Sequence, residues 1–309
     1  MKPFDLLIPG EINPDLILSG DVEPQFGQVE KLVDSAVLTI GSSSVITACG
    51  AARLGLKVAF VGVCGNDVFG RFMLDEMQKR GIHTSAVIVD PHQATGLTVI
   101  LNKGNDRAML TFPGAIASLR AEDIPDELLR QTCHLHVASY FLQDALRPDL
   151  PGLFARARAL GLSTSLDTNW DPTGRWQGVQ DLLPLTNVFL PNAAEACALT
   201  GEESVERAAD RLSAQVETLA IKLGADGALG VRAGQTVRVP SIPVQVVDTV
   251  GAGDSFNAGF LYGYLRGWSL EKSLRLAAVC GALSTTASGG TAAQPTAEQA
   301  LSFIERSIK

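Results

Sequence analysis

The chain has 309 residues, 46% of them hydrophobic and 19% charged, which supplies a sizeable core and excludes intrinsic disorder. Its 25 Lys and Arg against 33 Asp and Glu leave a formal net charge of -8, without the basic footprint of a nucleic-acid binder. No apolar run is long enough to span a bilayer, and the first residues carry acids and a Pro–Gly break where a secretory signal needs an apolar stretch. The 5 cysteines are scattered and lack CxxC spacing, as reduced thiols do. These features predict a cytoplasmic protein of one domain, residues 1–309, with neither nucleic acid nor a membrane as partner.

In chain order, Phe4–Pro9 reads as a buried strand, and residues from about 13 to 41 hold strand-like pieces (DLILSG, SAVLTI) with no helix between them. Lys57–Cys64 reads as one strand. Phe69–Arg80 reads as a helix, with Phe69, Phe72, Met73 and Met77 at helical spacing and a stop at Gly81. Residues 94–114 form a predicted hairpin around the turn Lys103-Gly104-Asn105-Asp106. Further strands are expected at His134–Tyr140, Ser163–Asp167, Asn187–Leu190 and Leu219–Leu223, with helices at Leu150–Leu160, Ala194–Leu199 and Val205–Ala214. Such alternation predicts an α/β fold whose mostly parallel sheet is covered on both faces. The two helix-free stretches, about 13–41 and 94–114, are expected to join as a small antiparallel β lid standing off the main domain. A small sheet of this kind leaves apolar surface wet unless a ligand or a second subunit covers it, so a homodimer through the lid is expected.

The informative segment is Val246–Tyr264, VVDTVGAGDSFNAGFLYGY. An apolar strand is expected to end at Asp248. A tight turn at Gly251, Ala252 and Gly253 follows, then Asp254 in the first turn of a helix. Glycines here let backbone amides converge, and the helix adds its positive end, which together make an anion hole. An acid beside a phosphate weakens binding, so Asp254 makes sense there as the acceptor of a proton from an attacking hydroxyl. A structural reading, in which Asp254 merely complements the helix dipole, stays open on these residues alone. The segment lacks the third glycine of a dinucleotide fingerprint, and no P-loop pattern occurs in the chain.

The full string Asp248-Thr249-Val250-Gly251-Ala252-Gly253-Asp254 resembles the C-terminal signature of the ribokinase-like (PfkB) family of carbohydrate and nucleoside kinases, and Gly41–Gly70 resembles its N-terminal one. The resemblance covers nearly the whole chain and implies a ribokinase-like three-layer sandwich that transfers phosphoryl from ATP, with Mg²⁺, to a sugar hydroxyl. It implies Asp254 as catalytic base and the amides of Gly251, Ala252 and Gly253 as anion hole. Asn192 and Glu195 resemble the family's N-x-x-E motif, which places magnesium and phosphates; the same spacing is also that of a helix capping box. Ile221–Gly227 resembles the element that contacts the nucleotide, through Lys222, Gly224 and Gly227, with Thr249 beside it; an ordinary β-turn reads equally well. Residues 282–290 should line the adenine pocket. Asp248 and Val250 sit where family members bind a monovalent cation such as K⁺.

For the acceptor, Asp15 matches a carboxylate that sugar kinases of the family use to hold hydroxyls, with Gly41 and Ser42 lining the same pocket. The loop Gly41-Ser42-Ser43-Ser44-Val45-Ile46 departs from the G-G-K-G-A-N of ribokinase-like members, which speaks against ribose. Asp167-Thr168-Asn169-Trp170 resembles the D-x-N of sugar-acid kinases, with Trp170 where Arg is usual and Arg175 only later; Asn169 joins the acceptor residues. The lack of a cationic clamp argues against a phosphorylated acceptor. His134 and His136 share a strand face without a third metal ligand. A nucleoside kinase of the same fold and a non-catalytic sugar or nucleotide sensor are the alternatives.

Overall fold

The alternation of strands and helices folds into one large sheet with a smaller one above it in the computed structural model, which describes residues 2–103 and 106–307. Met1, Gly104, Asn105, Ile308 and Lys309, and so the middle of the expected hairpin turn, lie outside the described residues. The strands in chain order are β1 (Phe4–Pro9), β2 (Pro14–Ser19), β3 (Ser35–Ile40), β4 (Val58–Val61), β5 (Val63–Gly65), β6 (Ile88–Asp90), β7 (Leu97–Lys103), β8 (Asp106–Phe112), β9 (Thr132–Val137), β10 (Ser163–Leu166), β11 (Val188–Phe189), β12 (Thr218–Lys222), β13 (Ala228–Arg232) and β14 (Gln235–Val239). The helices are α1 (Ser43–Arg53), α2 (Val68–Lys79), α3 (Asp126–Arg130), α4 (Leu150–Ala159), α5 (Ala193–Thr200), α6 (Val205–Ser213), α7 (Ala252–Leu265), α8 (Leu270–Ser284) and α9 (Ala297–Ser307). Among the described residues no helix is long and apolar enough to cross a membrane.

The large sheet runs β14-β13-β12-β11-β10-β9-β1-β4, parallel from β4 through β12 and antiparallel at the β13–β14 edge. Period-two alternation divides its side chains between two cores. Leu6 and Ile8 face one side with Met73, Met77, Phe256 and Phe260, under α1, α2, α7 and α8. Leu7 faces the other with Leu129, Phe154, Leu199 and Leu212, under α3 to α6. Both faces being covered, β1 is apolar and buried from Leu6 through Pro9, as parallel strands are, with Asp5 at its less buried start.

Three expected strands end early or fail to form, each for a local reason. The run 57–64 splits at Gly62, whose carbonyl takes the amide of Ile88 at 2.8 Å, so β5 leaves the main sheet and pairs with β6. The strand expected to reach Tyr140 stops at Val137, because Ser139 takes a left-handed φ of 52 and turns its hydroxyl to Glu11. Val246–Asp248 forms no strand; the amides of Val247 and Asp248 both reach the carbonyl of Thr285, at 2.8 and 3.1 Å.

The smaller sheet has the order β3-β2-β7-β8. Its outer pairs are antiparallel and its central pair, β2 with β7, is parallel, since the chain returns to β7 only after crossing the main domain. The registers put Asp15, Thr39, Thr98 and Thr111 in one cross-strand row on one face, and Leu16, Leu38, Val99 and Leu110 in a row on the other.

Lid and main domain meet at Glu11, which is 2% exposed. Its carboxylate accepts the Ser44 amide at 3.1 Å, the Ser44 hydroxyl at 2.6 Å and the Ser139 hydroxyl at 2.9 Å, tying the ends of β1 and β9 to the start of α1. Removing it leaves those buried donors without an acceptor. Glu11→Ala should cost about 3 kcal/mol of stability, read as a lower denaturation midpoint at unchanged slope, and Glu11→Gln clearly less; equal midpoints for all three proteins would contradict this role.

Candidate active site

The start of α7 converges on one point. Gly251 caps the helix at φ 72, and a side chain there would run into the backbone of Gly290, whose Cα lies 2.6 Å from the position a Cβ would take. The first helical bond of α7 is Ser255 N to Gly251 O at 2.9 Å, so the amides of Ala252, Gly253 and Asp254 have no acceptor in the helix. Ala252 N turns to Thr249 O at 3.3 Å, which leaves Gly253 and Asp254 amides to face an anion.

Asp254 is buried in this first turn. Burial foremost, and then the nearby Asp167 carboxylate and Glu11, push its pKa well above the ordinary 3.8; Lys222 and a hydrogen bond from Ser43 pull the other way. Around it the carboxyl ends of the strands deliver a compact charged cluster. Asp167 follows β10, Lys222 ends β12, and Asn257 lies one turn into α7. Lys222 Nζ reaches Asp167 Oδ2 at 2.6 Å and Asn257 Oδ1 at 3.3 Å, while Asn257 Nδ2 donates to Asp167 Oδ2 at 2.5 Å. The same Nζ lies 3.6 Å from where a Cβ on Gly253 would stand, so this ammonium borders the anion hole. Asn192 and Glu195 form a reciprocal capping box at the start of α5: Asn192 N donates to Glu195 Oε2 at 2.8 Å, and Glu195 N to Asn192 Oδ1 at 2.9 Å. Burial, then Asp167, lifts Glu195 to about 7.

A cavity of about 640 Å³ opens beside this cluster. Lys222, Gly224, Gly227, Thr249, Ala252 and Gly253 line it together, and Ile242, Pro243, Val244 and Phe256 form apolar walls. Of the segment 282–290, Ala282 and Thr285 reach the cavity. Asn192 and Glu195 are not among its lining residues.

On the lid side, Asp15 sits against Gly41 so closely that any side chain at 41 would strike its carboxylate. Asn13 Nδ2 donates to Asp15 Oδ1 and to Thr98 Oγ1, both at 3.4 Å. Burial raises Asp15 to about 7, with Arg107 opposing and Asp248 adding to the rise. The Ser42 hydroxyl is committed to backbone, accepting Val45 N at 3.1 Å and donating to Glu11 O at 2.6 Å. Its neighbour Ser43 instead faces the cleft, taking Asn169 Nδ2 at 2.6 Å and donating to Asp254. The structure thus brings Asp15, Gly41, Ser43, Asn169 and Asp254 into one chain of neighbours from lid to helix. His134 and His136 lie inside the sheet, bonded to Ser163 and Ser165, and burial lowers them to about 3 and about 4.

Sequence reading missed Ser43, Asp167 as Lys222's partner, Asn257, the 241–244 wall and Arg107. Asp167 and Lys222 each carry a faint signal, a charge closing an apolar strand. Asn257 sits inside a helical pattern and the wall is irregular, so neither carries one.

A family model described as pfkB family carbohydrate kinase matches residues 10–297. An uncharacterized sugar kinase of Archaeoglobus fulgidus is 33% identical over 231 residues, 74% of this chain and 90% of the relative. The 5-dehydro-2-deoxygluconokinase of Geobacillus thermodenitrificans is 30% identical over 328 aligned residues, 98% of this chain and 94% of its own. Among solved structures, an E. coli protein crystallised with ATP and Mg²⁺ superposes with a TM-score of 0.87 at 24% identity, over 98% of this chain and 99% of the other.

The raised Asp254 has a consequence for stability. With its folded pKa above the ordinary 3.8, folding takes up a proton between the two values, and stability falls across that interval as pH rises. Asp254→Asn abolishes this loss. The variant should melt above wild type, with a gap that widens as pH rises above the ordinary carboxylate value, by at most about 1.4 kcal/mol per pH unit; a flat or reversed gap in thermal scans would count against a proton-holding carboxyl.

Proposed function

The chain belongs to the pfkB family of carbohydrate kinases, phosphotransferases with an alcohol group as acceptor, and we propose that it moves the terminal phosphoryl of ATP to a hydroxyl of a small sugar with Asp254 as general base. The observation that carries this reading is the placement of a buried carboxyl at the mouth of α7, between free first-turn amides and the residues below the lid. ATP occupies the cavity bordered by Lys222, Gly224, Gly227 and Thr249, its phosphates directed at the Gly253 and Asp254 amides. The sugar lies between Asp15, Gly41 and Asn169, with Ser43 beside the reacting hydroxyl.

In the reaction Asp254 takes the hydroxyl proton, the freed oxygen bonds to the γ-phosphorus, and ADP leaves with the electrons of the broken bridge bond. Lys222 and the amides of α7 face the charge that spreads over the transferring group. Glu195 fits a magnesium role as far as its donors go: one oxygen holds the Asn192 amide, and the other remains for a metal-bound water. The ion, when bound, neutralises charge on the nucleotide's outer phosphoryls. Asp15, partly protonated near neutrality, accepts sugar hydroxyls best once ionised.

The lid's far face supports a homodimer. Leu38, Leu110 and Phe112 on it are 37%, 60% and 55% exposed, and Phe26 and Leu32 between β2 and β3 are 98% and 83% exposed. A second copy is the occupant we propose, since an apolar sheet face is self-complementary across a two-fold axis.

A coupled assay of ATP consumption against a panel of sugars, sugar acids and nucleosides tests the activity. Wild type should respond to sugars, and Asp254→Asn should lose about 10²–10⁴ in turnover while still binding ATP. A flat response to every sugar, or near wild-type turnover in the variant, would defeat this reading. For the dimer, Leu110→Glu should sediment at half the mass of wild type; a monomeric wild type would refute the interface.

A further inference from the structure

The cleft face of the lid carries a second charged side chain besides Asp15. The β7–β8 register places Arg107 opposite Asn102, on the same face as Thr98 and Thr111, and therefore on the face of Asp15. From there its guanidinium crosses the cleft to within 3.8 Å of Asp248 Oδ1. The Asp248 side chain is 7% exposed and belongs to the turn that leads into the anion hole. Its carboxylate already faces amides on both oxygens, Val250 N on Oδ1 and Gly289 N on Oδ2, each at 2.9 Å. The lid touches this region a second time through Thr39, whose Oγ1 lies 3.1 Å from where a Cβ on Gly289 would stand.

The family resemblance places a monovalent cation at Asp248. The donors present do not fit one. Two of this carboxylate's acceptor positions are taken by N–H groups, and the guanidinium beside Oδ1 stands where a cation would approach and would repel it. Arg107 also has spare donors, with five N–H groups in a fixed fork, and its field counters the rise of Asp15.

We propose that Arg107 is the cation of Asp248: a positioning residue, carried by the lid, that holds the turn from which the anion-hole amides project. Lid position and nucleotide binding are then coupled, and reciprocally so. A nucleotide that seats the turn favours the lid-down state, and an acceptor that draws down the lid strengthens the nucleotide. The inference rests on the phosphoryl-transfer reading for its purpose, though its test does not need a known sugar.

Two measurements on the full chain decide it. The first is calorimetric binding of AMP-PNP to wild type, Arg107→Met and Arg107→Lys, in choline chloride and in KCl at equal ionic strength. Wild type should bind equally well in both salts, Arg107→Met about tenfold more weakly, and Arg107→Lys in between, with melting temperatures unchanged. Wild-type affinity that climbs with K⁺, or an Arg107→Met variant as tight as wild type, overturns the proposal. The second is amide hydrogen exchange in the nucleotide-free proteins. Val250 and Gly289 should exchange faster in Arg107→Met than in wild type, and equal rates overturn the tether whether or not nucleotide binds. The kinase reading fails separately, on a wild type that consumes no ATP with any sugar.

Discussion

The candidate site turns on one balance, the burial of the Asp254 carboxyl against the charges around it. Burial and the neighbouring carboxylates Asp167 and Glu11 favour its neutral form, and one ammonium, Lys222, opposes them. That ammonium is in turn fixed by Asp167 and Asn257 rather than by Asp254 itself. The cluster is therefore a balance in which each member constrains the next. For the proton acceptor proposed above, a lone buried acid would simply stay protonated, and a directly paired one would be too weak a base. Holding Lys222 one step away leaves Asp254 unpaired while its field still acts.

This arrangement follows from parallel topology. In a parallel sheet all carboxyl ends open on the same edge, so residues that close different strands become neighbours there. Asp167 after β10 and Lys222 ending β12 stand 55 positions apart in sequence and meet because β11 alone separates their strands. Glu11, after β1, does for the lid what Asp167 does for the lysine: it fixes Ser44 and Ser139 so that Ser43 and Asn169 can face the cleft. The placement of the proposed acceptor residues thus depends on a carboxylate outside them.

The two faces of the lid differ in chemistry: one carries Asp15, three threonines and Arg107 among the apolar Ile17, Val37, Ile100 and Met109, and the other is apolar along Leu16, Leu38, Val99 and Leu110. A single residue of register slip would exchange them. The close approach of Gly41 to Asp15 and the parallel β2–β7 pairing hold that register from both sides.

Composition and periodicity alone were enough for the α/β class, for the bounds of α2, α4, α5 and α6 to within a residue, and for the helix-free stretches that became the lid; α3, α8 and α9 were not read. The glycine turn and Asp254 were legible because they are consecutive: a contiguous motif carries its geometry in its own backbone. Strand ends at Gly62 and Ser139 were not, since each is decided by a hydrogen bond to a residue distant in sequence, Ile88 and Glu11. Nor were the partners of Lys222, the commitment of the Ser42 hydroxyl to backbone, or the reach of Arg107 to Asp248. Local sequence fixes dihedral preferences and the face a side chain occupies, whereas an ion pair between strands needs the sheet order, and only the folded chain supplies that.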